Sequence, residues 1–224
     1  MRAPISVIIP TLNAQQELGP CLLSLMPALE AGLIRELIVS DGGSKDATVE
    51  LAKEWGAEVL VGTASRGGQL RRGCEVAKGD WLLVLHADTI LDPDWVGPAI
   101  AHLASHRAGW FRLGFDRGGR AGDIVAGWAN LRSRFGLPYG DQGILLPRSL
   151  YQKIGGYPDQ PLMEDVHLAR ALTGKLQMID AVARTSAKRY QKQGWLRRGS
   201  RNLWTLVRYL RGASPQDLAE SYRR

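Results

Sequence analysis

Leu82-Leu83-Val84-Leu85-His86-Ala87-Asp88-Thr89 is the stretch that decides the fold. Four apolar residues end at once in a histidine and a carboxylate. Such a run reads as a buried parallel strand that delivers a polar tip to the edge of a sheet. Asp88 at that tip has the chemistry to hold a hard cation, Mg²⁺ or Mn²⁺, against phosphate oxygens. A turn or helix-capping aspartate is the plainer reading of the same residue. His86 is either a partner to that site or a structural residue.

Upstream, the same grammar repeats. Ile5–Ile9 reads as a β-branched strand stopped by Pro10, followed by Thr11-Leu12-Asn13. From there a helix is expected to about Ala31, capped by Thr11 or Asn13, with Leu18, Leu22, Leu25 and Leu29 on one face and a kink or break at Pro20 or Pro27. Glu36–Ser40 is a second strand ending at Asp41-Gly42-Gly43, and Ser44 opens a helix to about Trp55. Glu58–Val61 is a third strand, and Arg66-Gly67-Gly68-Gln69 begins a helix to about Lys78. Strands alternating with helices at this spacing imply βαβ units and a largely parallel sheet. Ligands of such sheets bind at the carboxyl ends of the strands. Four successive ends here are polar or glycine-rich, which points to one site.

Downstream, Asp92-Pro93 reads as a helix start and Gly109–Phe115 as a strand. Asp116–Gly122 reads as a mobile loop and Asp123–Phe135 as a helix. Tyr139–Gly143 precedes a short strand, Ile144–Leu146. A helix opens at Glu164-Asp165, and Leu176–Ile179 is a last strand. Asp41 either accepts an N–H from a pyrimidine base or caps the next helix. Asp165 is either a general base for an attacking hydroxyl or a charge favouring the helix dipole. Asp141 is a site residue or a turn residue. Arg66 and Gln69 suit phosphate or base.

Of the 224 residues, 29 are Lys/Arg and 22 Asp/Glu. Residues 184–224 hold 11 of the basic and 2 of the acidic residues, so residues 1–183 are slightly acidic. Nucleic acid is therefore a poor partner for the body of the chain. The two cysteines, Cys21 and Cys74, form no disulfide framework and suit a reducing compartment. No apolar run reaches the length of a membrane span, and no signal region precedes the first strand. The expectation is a cytoplasmic protein, with residues 1–183 as one α/β domain and 184–224 as a basic, amphipathic helical extension. That extension either lies on an anionic membrane at its inner face, packs on the domain or on a second copy, or brings Arg184, Lys188 and Arg189 over a bound diphosphate.

Taken in order, Val7–Asn13, Ile38–Thr48, Arg66–Gln69, Leu85–Thr89 and Met163–Asp165 resemble the family 2 glycosyltransferases. The resemblance implies the GT-A fold, Rossmann-like with a mostly parallel sheet, and a metal-dependent, inverting transfer of a sugar from a nucleotide diphosphate, UDP favoured, to a hydroxyl acceptor. It implies that Pro10, Thr11, Asn13, Asp41, Gly42, Arg66, Gln69, His86 and Ala87 hold the nucleotide. Asp88 would bind the metal, Asp165 would be the base, and Asp141, Gln142 and Glu164 would line the acceptor side. His86-Ala87-Asp88 with Gly140–Gly143 is similar to a bacterial subgroup labelled arsenosugar-biosynthesis glycosyltransferases. The family commonly carries an acidic residue where His86 stands. The alternatives are a nucleotidyltransferase, disfavoured because no glycine- or lysine-rich loop follows the first strand, and a non-enzymatic, membrane-associated nucleotide-sugar-binding protein.

Overall fold

The computed structural model describes residues 2–223. In chain order the elements begin with β1 (Ile5–Thr11), α1 (Gln15–Leu23), α2 (Met26–Glu30), β2 (Ile34–Asp41), α3 (Thr48–Glu54) and β3 (Glu58–Val61). Next come α4 (Arg66–Val76), β4 (Trp81–Val84), β5 (Ile90–Leu91), α5 (Val96–Leu103), β6 (Ala108–Phe115) and α6 (Gly119–Arg134). The chain continues through a 3₁₀ turn at Gly140–Gln142, β7 (Ile144–Pro147), α7 (Arg148–Lys153), α8 (Glu164–Ala171) and β8 (Leu176–Thr185). It ends with α9 (Lys188–Gln193), α10 (Trp195–Leu210) and α11 (Pro215–Arg223).

One sheet runs β3-β2-β1-β4-β7-β6-β8-β5. The first four strands are mutually parallel, as are β6 and β8, while β7 and β5 run against their neighbours. The sheet is therefore α/β and mixed. Alternation along each strand builds the two faces. Val7, Ile9 and Leu83 pack with α1 and α5 on one side. Ile8, Leu82 and Val84 pack with α4 and α8 on the other. Burying each such side chain stabilises the fold by roughly 1.5–3 kcal/mol. Cys21 and Cys74 sit in these two cores as free thiols.

Several expected boundaries move. Pro10 does not stop β1. Leu85 N–H donates to Ile8 O, so Pro10, of the same parity, faces the space beyond the end of the β4 ladder, where no donor is needed. The helix expected to Ala31 with a kink or break is broken into two, with Pro20 retained inside the first and Pro27 in the first turn of the second, but neither Thr11 nor Asn13 caps α1. Leu29 is exposed rather than on the apolar face. α3 starts at Thr48, because Ser44–Asp46 are spent tying the loop to Asn13 and Gln15. Asp92 does not cap α5. It forms a two-bonded ion pair with Arg184 of β8, at 2.6 and 2.9 Å. The supposed loop at Asp116–Gly122 is already helix from Gly119. β8 is ten residues long and runs through Thr185, because its second half pairs with β6 and β5. Among the described residues, no helix is long and apolar enough to cross a membrane.

Candidate active site

The carboxyl ends of β1 and β4 and the start of α4 meet at one cleft. It has two chambers with empty volumes of about 1530 and 840 Å³. Pro10, Thr11, Asn13, Gln69 and Ala87 line the larger, and Tyr139, Asp141 and Asp165 the smaller. Arg66, His86, Asp88, Arg189 and Tyr222 line both. The glycines of Arg66-Gly67-Gly68-Gln69 let α4 approach the segment before α8. A Cβ at Gly67 would come within 2.0 Å of Pro158 O.

Asp41, Gly42, Gln142 and Glu164 do not line either chamber. The Asp41 carboxylate is buried and accepts four hydrogen bonds, from Gly43 N, Ser44 N, Ser44 Oγ and Thr11 Oγ1, at 2.5–2.8 Å. Burial alone would raise its pKa, but the bonds from Ser44, Thr11 and Gly43 outweigh it and hold it below the usual range. A carboxylate has about four lone-pair sites, so Asp41 is filled by its own loop. Gln69 donates to Thr11 O and Ser40 O at 2.7 and 3.0 Å and pins β1 to β2. Gln142 is likewise spent, bonded to Ser133, Tyr139, Phe111 and Asn130.

Asp88 differs from Asp41. Its carboxylate faces both chambers and takes part in no ion pair among the described residues. No cluster of three His, Cys, Asp or Glu stands there. One free carboxylate suits Mg²⁺ or Mn²⁺, which keep waters and take substrate phosphates as ligands, and does not suit zinc. His86 beside it is neutral: burial drives its pKa well below 6.5, and Arg66 and Arg189 add to the shift.

Gly140 joins His86 to Asp165. Its N–H donates to Asp165 Oδ2 at 2.8 Å, and a Cβ there would lie 2.5 Å from His86 Nε2. Asp165 Oδ1 accepts from Val166 N at 2.7 Å. Met163, just before, has φ of 65°, a left-handed conformation costing about 1–3 kcal/mol outside glycine. It turns the chain so that Asp165 faces the cleft. Glu164 lies behind the wall, 3.5 Å from Arg66 Nε, with neither oxygen hydrogen-bonded. Burial above all raises its pKa, Asp165 adds to this, and Arg66 opposes it.

Asp141 has one oxygen sealed from solvent without a partner. Burial, opposed by Arg132 and reinforced by Asp165 and Asp88, raises its pKa from 3.8 to about 6. The folded state therefore keeps this proton to higher pH than the unfolded chain, and stability falls as pH rises between those values. Asp141→Asn should thus stabilise the metal-free protein by about 1–3 kcal/mol at pH 7.5 and leave it unchanged at pH 3.5 or below. Melting curves at both pH values check this, and an equal gain at both would refute it.

The tail packs on the domain, one of the readings the sequence left open, and supplies a wall of the cleft. Lys188 of α9 reaches Glu17 of α1 at 3.7 Å, and Glu17 and Arg189 both line the larger chamber. Tyr190 stacks on Trp195 at 4.9 Å, and both meet Phe115 edge-on. Arg198 donates to Tyr222 Oη, Tyr222 to Asn202 Oδ1, and Asn202 Nδ2 to Tyr190. Leu206 and Leu218 pack on Met163 and Val166, so part of the apolar stripe of the tail is used on the domain. Arg184 is held by Asp92 and Lys188 by Glu17. Of the three basic residues expected over a diphosphate, only Arg189 lines the cleft.

Residues 6–126 match the model of glycosyl transferase family 2. The chain belongs to that family. It is 34 % identical over 115 residues to a PGL/p-HBAD biosynthesis glycosyltransferase of Mycobacterium tuberculosis, covering 47 % of this chain and 44 % of that protein. It is 33 % identical over 99 residues to the glucosyl-3-phosphoglycerate synthase of Mycolicibacterium smegmatis, covering 40 % and 32 %. The match thus spans less than half the length of these curated relatives. Among solved structures, Staphylococcus aureus TarS in complex with UDP-GlcNAc gives a TM-score of 0.61 at 16 % identity, over 82 % of this chain and 58 % of that one. The glucosyl-3-phosphoglycerate synthase of M. tuberculosis with Mn²⁺, UDP and glucosyl-3-phosphoglycerate gives 0.56 at 23 %, over 82 % and 70 %. These likenesses show the GT-A fold of this family 2 chain.

Proposed function

We propose that the chain is a divalent-metal-dependent, inverting glycosyltransferase that moves a sugar from a nucleotide diphosphate, UDP favoured, to a hydroxyl acceptor. The observation that carries this reading is the meeting, in one cleft, of the unpartnered Asp88 carboxylate, the cationic side chains of Arg66 and Arg189, and Asp165. Asp88 would hold Mg²⁺ or Mn²⁺, which supplies charge to offset that developing on the leaving diphosphate. Pro10, Thr11 and Asn13 offer the rim for the nucleoside, with Ala87 and His86 beside them. Arg66 and Arg189 supply positive charge along the cleft. Asp165 takes the proton of the acceptor hydroxyl, which attacks the anomeric carbon as the bond to the diphosphate breaks. No covalent intermediate is needed, and the configuration inverts. Asp41 and Gly42 support the nucleotide rim from behind and Gln69 at the chamber wall, and Glu164 and Gln142 support the acceptor side from behind.

The extension that begins at residue 184, over its described residues 184–223, completes the cleft of the preceding domain. His86-Ala87-Asp88 together with Gly140-Asp141-Gln142-Gly143 supports a place in the subgroup labelled arsenosugar-biosynthesis glycosyltransferases. A thermal-shift titration tests the donor reading. A ligand at 100 times its Kd stabilises the folded state by about 2.7 kcal/mol. For a chain of this size that corresponds to a Tm rise of about 5–10 °C. UDP with Mn²⁺ is expected to give such a rise, and UDP alone less. No stabilisation by any nucleoside diphosphate, with or without the metal, would remove the proposal.

A further inference from the structure

Two helices carry most of the exposed large apolar side chains. On α6 and its C-cap residue, Ile124, Trp128, Leu131 and Phe135 are exposed and fall on one stripe by their 4-3-4 spacing. On α10, Leu196, Leu203, Trp204 and Leu210 are exposed, mostly at sevenfold spacing. Phe135 and Leu196 are 80 % and 90 % accessible. The five other exposed large apolar residues, such as Leu12 and Val61, are scattered over the body of the chain. The helices adjoin: Trp128 and Leu203 line a shared crevice of about 480 Å³. A contiguous apolar face of this kind marks an interaction surface.

Its charge says what it meets. α10 has no acidic residue between Trp195 and Leu210, and α6 has only Asp123. Arg120, Arg134, Arg197 and Arg211 are exposed and make no ion pair among the described residues. Apolar and aromatic side chains flanked by free arginines match the interface of a bilayer with anionic headgroups. A second copy docked by two-fold symmetry would set this arginine fringe against itself. We therefore propose that α6 and α10 together form one docking face for an anionic lipid bilayer, with the apolar stripes entering the interface and the arginines on the headgroups. The crevice between the helices shares Tyr139, Asp141, Tyr190 and Asn202 with the smaller chamber. Docking thus sets that end of the cleft at the lipid surface. On the glycosyl-transfer reading, and only on it, the acceptor hydroxyl is then borne by an amphiphile.

Vesicle flotation tests the face without any donor. The full chain is expected to float with vesicles of phosphatidylcholine and phosphatidylglycerol and to remain below pure phosphatidylcholine. The double variant Phe135→Glu/Leu196→Glu changes two side chains that lie in the solvent and line no chamber. It should bind anionic vesicles at least about tenfold more weakly while keeping the UDP–Mn²⁺ stabilisation of the parent. Absence of flotation by the parent, or equal flotation by the variant, overturns the docking face. So does concentration-dependent dimerisation abolished by the same substitutions with no vesicle binding. Loss of the UDP–Mn²⁺ shift in the parent would instead strike the donor reading and leave the docking result standing.

Discussion

Replacing Asp165 by Asn is expected to leave nucleotide-diphosphate binding intact and to lower sugar transfer by about 10²–10⁴-fold, the usual contribution of a positioned general base. The amide keeps nearly the size of the carboxylate but only one acceptor oxygen, so it retains one of the bonds from Gly140 and Val166 and loses the other, at a cost of about 1–3 kcal/mol of stability. It cannot take a proton from a hydroxyl. Both Asp165 oxygens already accept a backbone N–H, from Gly140 and Val166. Those bonds fix its direction while leaving lone pairs for an incoming hydroxyl. The rival is Asp141 in the same chamber, with an unpartnered oxygen and a pKa raised to about 6. Steady-state rates of the two Asn variants, with UDP–Mn²⁺ stabilisation as the control, decide between them. If Asp141→Asn were the inactive protein and Asp165→Asn active, the roles would have to be exchanged.

The legible part of the site is the part built from strand ends. Asp88 and Thr11 could be placed from the chain because a buried strand ending in a polar residue has few places to put that residue, and Arg66 because it opens the helix that follows the β3 loop. Asp165 could be named as a candidate, but its direction depends on the left-handed turn at Met163 and the N–H of Gly140, and neither has a local signature. The sequence was undecided where a polar group was already satisfied. Asp41-Gly42-Gly43-Ser44 left a base contact and a local cap both open for Asp41; a short aspartate followed by glycine and serine can fold onto its own loop, and here it does. Gln142 is the same case at longer range. The tail was hardest to place. Its arginines and aromatics left a membrane surface, packing on the domain or a second copy, and a cover over a diphosphate all open, and in the fold Tyr190, Arg198, Asn202 and Tyr222 close a hydrogen-bonded wall of the cleft. Those residues come from three helices, and only their packing on Phe115, Met163 and Val166 brings them together.

Replacing Asp88 by Asn should abolish the effect of Mn²⁺ on UDP binding without weakening UDP itself, which makes it the sharper test of the metal reading. In the parent, Mn²⁺ is expected to strengthen UDP binding, because a lone carboxylate and a diphosphate together form an oxygen ligand set. Without metal, the same carboxylate repels the diphosphate in a cleft where Arg66 and Arg189 attract it. Asp88→Asn removes both the ligand and the repulsion. UDP alone should then bind the variant as well as or better than the parent, Mn²⁺ should add nothing, and transfer should fall by about 10²-fold or more, the scale of a lost charge-stabilising group. Neutral His86 cannot restore the missing negative ligand. The side chain of Asp88 makes no ion pair in the protein, so the melting temperature without ligands should move by no more than a surface substitution moves it, within about 0.5 kcal/mol of stability. A turn or capping aspartate predicts the opposite pattern: a less stable protein whose response to Mn²⁺ is unchanged. Calorimetric titration of UDP into both proteins, with and without Mn²⁺, separates the two.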